Sequence, residues 1–434
     1  MSKQPAKEVI VRDPIHGFVR LDLFDFIKPV VDTPTFQRLR ALSQTGVSWV
    51  TYPTATHNRF SHSLGNVHVF HEILDRLLKQ EGVAKEESEH LLRLGCACAL
   101  LHDVGHGPLS HVSERIFGFS HEEISRELIL DGEIAAILEK YKVDRKEMVK
   151  VLDGTVTGWE GVISQFISSQ LDSDRLDYLS RDAYFTGIGF GNIDLPRIIN
   201  LFRIHHGEGV LKGSAVCLNK SRYTLESYVI TRHSMYQEVY LHKTTRGAEQ
   251  LLISATKRMK DLGQQKAKVP EELSFLFEAR EITASDILPL NDHSYLAAIA
   301  RLAKSDDPVL SELCERFVQR NLLKPITLPR PDLAKWRATE QKLQALAKSN
   351  GIDGDYFCLY DSCKATPYTP YRATSPEDQG TITSNIFLYD QQGKPEEISS
   401  ASPDVVRNLV QAVYSDRLYV PERILSDARS LYLK

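Results

Sequence analysis

The six consecutive residues His102-Asp103-Val104-Gly105-His106-Gly107 hold much of the chemistry this chain can offer. They close an apolar run, Leu91 to Leu101, so a hydrophobic helix there gives way to a glycine-rich turn. Adjacent side chains on a helix diverge, and a turn at this point would let His102 and Asp103 converge. Upstream, His62 stands in Asn58-Arg59-Phe60-Ser61-His62-Ser63-Leu64-Gly65; downstream, Asp174 stands in Asp172-Ser173-Asp174-Arg175-Leu176-Asp177. Two imidazoles and two carboxylates could hold one divalent cation. Such donors suit Mn, Fe, Co, Ni or Zn, and carboxylates also suit Mg. A cation there would withdraw charge from a phosphoryl oxygen and supply hydroxide near neutral pH, since zinc lowers the pKa of its water from about 16 to about 7. Taken singly, any of the 15 histidines is better explained as a surface or core residue. The joint order carries the reading.

Arg59 lies three residues before His62, so a guanidinium would reach a phosphate held on the cation, although pairing with a carboxylate explains it equally well. His106 and His111 flank Gly107-Pro108, where a turn could aim both at the metal. His121 sits at a predicted helix start, where the dipole disfavours the imidazolium. These three are candidate proton donors, because an expelled alkoxide leaves poorly unless protonated and imidazole titrates near pH 7. The alternative for each is a capping or core histidine.

The elements that must position these groups read as helical. Residues 8–21 predict a hairpin around Pro14 and Gly17. A helix starting at Thr33-Pro34 would line up Phe36, Leu39, Leu42 and Val47. Ser63 to Lys79 carries a wide apolar stripe, and Leu91 to Leu101 is apolar nearly all round, as a central buried helix would be. Ser120 caps a helix with Glu123 at the capping-box position. Further helices fit 133–141, 145–152, 159–170, 174–184, 221–262, 307–320 and 403–414. Tyr356–Tyr360 and Ile382–Tyr389 read as strands. There is no internal repeat.

The bulk composition narrows the class. The chain has 434 residues, 42% hydrophobic and 25% charged, with a net charge of −4. That length supports a large core, and the charge provides no general basic field for nucleic acid. Met1–Lys7 lacks a signal-peptide core, and no stretch approaches the roughly 20 apolar residues of a membrane helix. Cys96, Cys98, Cys217, Cys314, Cys358 and Cys363 show neither Cys-x-x-Cys spacing nor disulfide-scaffold density. The expectation is a cytoplasmic globular protein with no membrane partner.

His62…His102-Asp103…Asp174 resembles the H…HD…D pattern of the HD-domain phosphohydrolase superfamily. Asp13-Pro14-Ile15-His16-Gly17, Asp32-Thr33-Pro34, Phe36-Gln37-Arg38-Leu39-Arg40, His57-Asn58-Arg59-Phe60, the run His102 to His111, and Asp177-Tyr178 are similar to its dNTP triphosphohydrolase branch. The likeness is closest over about residues 8–250. It implies a mainly α HD-domain core, taken as residues 1–323 with the metal site within 50–185; the residues themselves read as a short N-terminal β-hairpin ahead of it and a smaller α+β region over 324–434. It implies one transition metal on His62, His102, Asp103 and Asp174, with Mg on the substrate phosphates. Arg59, Arg175 (where the branch usually has lysine) and Arg232 would hold the polyphosphate, with His242-Lys243 completing a basic cluster. His121 fits the general acid, His111 would lie close to the attacked phosphate, and Glu114 or Glu122 would orient the rings. Gln44, Tyr178 and Asp182 match positions at the deoxyribose 3′-hydroxyl, and Tyr240 matches the aromatic that crowds the 2′ position.

Asp32, Gln37 and Arg40 match residues that recognise a guanine nucleotide activator in allosteric members, although Val9 stands where a lysine would meet the activator phosphates; Asp32 and Arg40 could instead simply pair with each other. Relatives assemble as dimers or tetramers. The expected reaction converts a dNTP and water into deoxynucleoside and triphosphate. The alternatives are a nucleotidase or phosphodiesterase on another nucleotide or nucleic-acid substrate, and a non-catalytic nucleotide sensor with a structural metal.

Overall fold

The computed structural model describes residues 8–191, 193–207, 212–328, 333–366, 368–369, 384–390, 392–409 and 413–432. Strands β1 (Ile10–Asp13) and β2 (Gly17–Arg20) pair antiparallel, with Ile10 opposite Arg20. The Asp13 carboxylate accepts from the Ile15 and His16 amides at 2.8 and 3.0 Å, and Gly17 takes a φ of 74°, so the Pro14 turn is closed by its own side chain.

Helix α1 (Arg59–Gln80) begins four residues before the apolar stripe predicts, because Asn58 caps it by accepting from the Ser61 amide at 3.0 Å. Arg59 and His62 therefore sit on its first turns. Helix α2 (Lys85–Leu101) packs along α1, with Gly95 leaving room for the Phe70 ring. Cys96 and Cys98 are fully buried within it. Short helices α3 (His111–Phe117) and α4 (His121–Leu130) follow the glycine turn. Helix α5 (Gly132–Lys140) packs on α4, and helices α6 (Arg145–Leu152) and α7 (Gly158–Ile167) pack against α2. Helix α8 (Ser173–Thr186), capped by Asp172 and ended at left-handed Gly187, lies against α1.

Four sequence expectations change. The helix expected from Thr33-Pro34 is one turn, Pro34–Gln37, followed by a 3₁₀ turn. The single helix expected over 221–262 is two, α9 (Arg222–Met235) and α10 (Lys243–Leu262), separated by a π turn at Tyr236–Tyr240. No Pro or Gly marks this break; the His242 side chain caps α10 by accepting from the Thr244 amide at 3.2 Å. Gly354–Phe357 is helical, with Asp353 as cap, and strand β6 (Leu359–Ala365) starts after it.

The helix expected over 403–414 is confined to Val406–Leu409. Strand β9 (Val413–Val420), rich in β-branched and aromatic residues, pairs with β6 and with β5 (Lys324–Thr327), so tertiary partners override the local period. A second sheet joins β3 (Phe202–Ile204) and β4 (Ala215–Cys217) to β7 (Phe387–Tyr389) and β8 (Pro395–Glu397). Part of the expected strand at Ile382–Tyr389, residues 382 and 383, lies outside the described residues.

One hydrophobic core surrounds α1 and α2. A second unites Val47, Leu109 and Val112 with α10, the helices Asp292–Leu302 and Pro308–Val318, and the β5-β9-β6 sheet, so residues on both sides of position 323 share it. No described helix is long and apolar enough to cross a membrane.

Candidate metal centre and cleft

Four elements bring His62, His102, Asp103 and Asp174 together: the first turns of α1, the end of α2, the turn after it, and the start of α8. One ligand atom from each lies within 4.8 Å of all the others. His62 Nε2 is 2.9 Å from Asp174 Oδ1, and His102 Nε2 is 3.5 Å from both Asp103 Oδ2 and Asp174 Oδ1. Both Nε2 atoms are buried without a well-aligned hydrogen bond. Buried imidazole nitrogens aimed at a common point between two carboxylates fit a divalent cation.

The far sides of the rings hold the tautomers that ligation needs. His102 Nδ1 donates to the Ala99 carbonyl at 3.0 Å, and His62 Nδ1 donates to Asp177 Oδ2 at 2.8 Å. Asp177 also accepts from His16 Nε2 at 2.6 Å and from Arg181 Nε and Nη2 at 2.9 and 2.8 Å, and Arg181 continues to Asp13 at 2.8 Å. The N-terminal hairpin thus braces a metal-facing histidine through a buried chain of charges. Gly65 makes room for it, because a Cβ there would lie 2.0 Å from Asp177 Oδ1. Burial opposes charge on Asp177, but Arg181, His16 and His62 hold its carboxyl well below the usual range. Burial also opposes protonation of His62, yet Asp174 and Asp177 push its pKa up to about 10, so a cation entering here displaces a proton.

Asp13, His16 and Asp177 stand within the motifs, but nothing local in the sequence gives them a role. Arg181 carried no signal beyond its i+4 spacing from Asp177.

Beside Asp103 sits a histidine cluster. His106 Nε2 and His121 Nε2 lie 3.3 and 3.6 Å from Asp103 Oδ1, and the two rings stack at 3.8 Å between centroids. Burial, Arg59 and His121 drive the His106 pKa well below its ordinary value, so it stays neutral. Glu114 accepts from His111 Nδ1 at 2.6 Å and His121 Nδ1 at 2.7 Å. Glu122 points outward, 3.7 Å from Arg126, so of the two candidate carboxylates Glu114 meets the rings. The turn carrying this cluster is strained, with Leu109 and Ser110 at φ of 60° and 57°.

A cleft of about 410 Å³ opens onto Asp103 and Asp174 and is lined also by Gln44, Arg59, His111, Arg175, Tyr178, Asp182, Tyr236 and Tyr240. Arg59 is buried, paired with Asp103, and donates to Ser110 Oγ at 2.8 Å, so its carboxylate partner is the metal-facing Asp103. Arg175 is paired with Asp172. Asp182 is held by His57 Nε2 and the Tyr240 hydroxyl, both at 2.7 Å. Gln44 Oε1 is buried without a partner. Arg232 is buried behind the cleft, reaching the Gln170 carbonyl at 3.4 Å, and His242 serves as a cap rather than a cleft residue. Asp32 pairs with Lys28, whereas Arg40 donates to Gln37 at 2.8 Å and stacks on Phe60, so Asp32 and Arg40 do not pair with each other.

Comparison with known proteins agrees with this geometry. Residues 59–161 match the HD domain family, and residues 193–350 match the HD associated region family. The uncharacterised protein YwfO of Bacillus subtilis is 32% identical over 97% of this chain and 94% of its own. The human deoxynucleoside triphosphate triphosphohydrolase SAMHD1 is 28% identical over 54% of this chain and 42% of its own. The crystal structure of a phosphohydrolase from Bacteroides thetaiotaomicron superposes with a TM-score of 0.78 at 28% identity, covering 95% of this chain and all of that one. With its helical core, its four convergent donors and these relatives, the chain belongs to the HD-domain phosphohydrolase superfamily.

Proposed function

We propose that this protein is a metal-dependent dNTP triphosphohydrolase that releases deoxynucleoside and inorganic triphosphate. The observation that carries this reading is the single cleft joining Asp103 and Asp174 to Gln44, Tyr178, Asp182 and Tyr240. A divalent cation on His62, His102, Asp103 and Asp174 would polarise a phosphoryl oxygen and lower the pKa of a water. Arg59 and Arg175 supply guanidinium charge to the polyphosphate along the cleft wall, and Arg232 adds positive charge from behind. His121, with Glu114 fixing its Nδ1–H, presents Nε2 to the leaving 5′ oxygen, and His111 shares the same carboxylate. Protonation of that oxygen as its bond to phosphorus breaks lets the deoxynucleoside leave as an alcohol.

Asp182 has two protein donors and lone pairs to spare, so it can accept from a sugar 3′-hydroxyl, and the unpartnered Gln44 Oε1 offers a second acceptor. A sugar lacking that hydroxyl would leave these groups unpaired and bind poorly. SAMHD1 relatives at 26–28% identity support a nucleotide substrate. Asp32, Gln37 and Arg40 would serve a guanine nucleotide activator, and assembly into dimers or tetramers is part of the same proposal.

The test is a product assay across the four dNTPs with Mn, Fe, Co, Ni, Zn or Mg, with and without GTP or dGTP. Inorganic triphosphate is the expected product. Monophosphate release would favour a nucleotidase, cleavage of an internal bond a diesterase, and binding without turnover a sensor.

A further inference from the structure

Gln44 and Asp182, the two acceptors proposed for the sugar 3′-hydroxyl, come from distant parts of the chain, yet one residue touches both. His57 precedes the Asn58 cap of α1, where Ser43 and Asn58 form an isolated antiparallel bridge. The His57 carbonyl accepts from the Gln44 main-chain amide at 3.1 Å. On the other side of the bridge the Arg59 amide donates to the Leu42 carbonyl at 2.9 Å, so the backbone of Gln44 is pinned to the start of α1. The His57 ring reaches the other way. Its Nε2 donates to Asp182 Oδ1 at 2.7 Å, and Oδ2 is left to the Tyr240 hydroxyl.

The ring itself is clamped. It is wholly buried and stacks on Phe185, one turn past Asp182 on α8, with 4.8 Å between centroids and 17° between planes. One helix thus holds the imidazole by its face and by its edge. Because Nε2 carries the donated proton, Nδ1 is the bare nitrogen, and it is buried without a hydrogen-bond partner among the described residues. An unpaired buried polar atom costs stability, so packing alone would favour an apolar ring at this position. What the imidazole adds is the N–H aimed at Asp182.

We infer that His57 is a positioning residue for recognition of the sugar 3′-hydroxyl, its two ends fixing Gln44 and Asp182 relative to each other. This rests on the dNTP triphosphohydrolase reading above. His57 lies behind the cleft wall and touches no substrate, so it acts only through the two residues it holds. Without the Nε2–H, Asp182 keeps a single donor, the Tyr240 hydroxyl, and its carboxylate is free to turn about its own torsions. A reacting group or its partner displaced by about 1 Å can lose on the order of 100-fold in rate. A substrate with no 3′-hydroxyl makes no bond to Asp182 and is indifferent to that turn. The loss therefore falls selectively on substrates that carry the hydroxyl.

The experiment measures kcat/KM for dATP and for 2′,3′-dideoxyATP by nucleoside release, with saturating GTP in every reaction. The wild-type enzyme is expected to favour dATP by about thirtyfold or more, since the dideoxy sugar leaves Gln44 and Asp182 unpaired. His57→Phe keeps the stack on Phe185 and removes the N–H. It should cut that preference by about fivefold or more, through dATP alone, with the dideoxy rate within about threefold of wild type. His57→Gln, whose amide N–H can stand near the position of Nε2, should bring the preference back to within about threefold of wild type. A merely structural role would lower both substrates together and leave the ratio unchanged. A folded His57→Phe enzyme with the wild-type preference overturns the inference, as does a His57→Gln enzyme no better than His57→Phe. Should His57→Phe fail to fold, His57→Asn, too short to reach Asp182, takes its place with the same expected loss. A wild-type preference below threefold overturns the inference without any variant. Absence of triphosphate from every dNTP overturns the proposed function instead, so the two failures are distinguishable.

Discussion

Replacing Asp177 by Asn tests whether the buried charge chain behind the metal donors sets their affinity. Asp177 is fully buried and receives four hydrogen bonds, from His16, His62 and twice from Arg181. Asparagine keeps the shape but has one carbonyl oxygen in place of two anionic ones. At least two of the four donors lose their acceptor, and fully buried Arg181 keeps only Asp13 as a charge partner. Breaking a buried pair from one side costs about 3–5 kcal/mol, which should appear in the metal-free protein as a lower melting temperature. The second effect falls on the metal. Loss of the carboxylate behind a ligating histidine typically lowers metal affinity about 10–100-fold, or roughly 1.4–2.7 kcal/mol at about 1.4 kcal/mol per decade. Chelated protein, refolded and checked by circular dichroism, would be titrated with Mn²⁺ by calorimetry beside the wild type. A folded Asp177→Asn protein that binds Mn²⁺ within twofold of wild type would refute the bracing role. His16→Ala, which removes one donor from the hairpin side, should change affinity in the same direction by less.

Other perturbations give separate readouts. Gly65→Ala places a Cβ 2.0 Å from Asp177 Oδ1 and 2.4 Å from Arg181 Nη2, so it should destabilise by about 1–3 kcal/mol or more in thermal melts and weaken metal binding with it. Glu114→Gln loosens His111 and His121 together; kcat should fall about 100-fold while elemental analysis shows unchanged metal content. Asp174→Asn, at a half-buried ligand position, should abolish metal retention and turnover, and a variant that still turns over would exclude the four-donor site. Deleting residues 324–434 removes β9 and strips Leu418, Tyr419, Val420 and Ile424 from the second core, so the truncated chain should be insoluble.

The sequence alone picked out the four candidate donors and the helical core around them. His62, His102, Asp103 and Asp174 were legible because ligation demands particular side chains in a particular order, and the apolar runs of α1 and α2 announce burial through a local 3.6-residue period. Caps at Ser120 and Asp172 are local too, each closing within three residues. What lay beyond the sequence was every choice made by distant partners. The π turn at Tyr236–Tyr240 interrupts a continuous helical pattern without a breaker residue, and both of its tyrosines line the cleft. Val413–Val420 carries residues that either period could use, and only its pairing with β5 and β6 made it a strand. The choice of Glu114 over Glu122 turned on which helix face meets two imidazoles across the glycine turn. The charge chain from Asp13 through Arg181 and Asp177 to His62 joins residues up to 168 positions apart. A buried carboxylate takes its partners wherever folding brings donors within 3 Å, and no local pattern in the chain records that meeting.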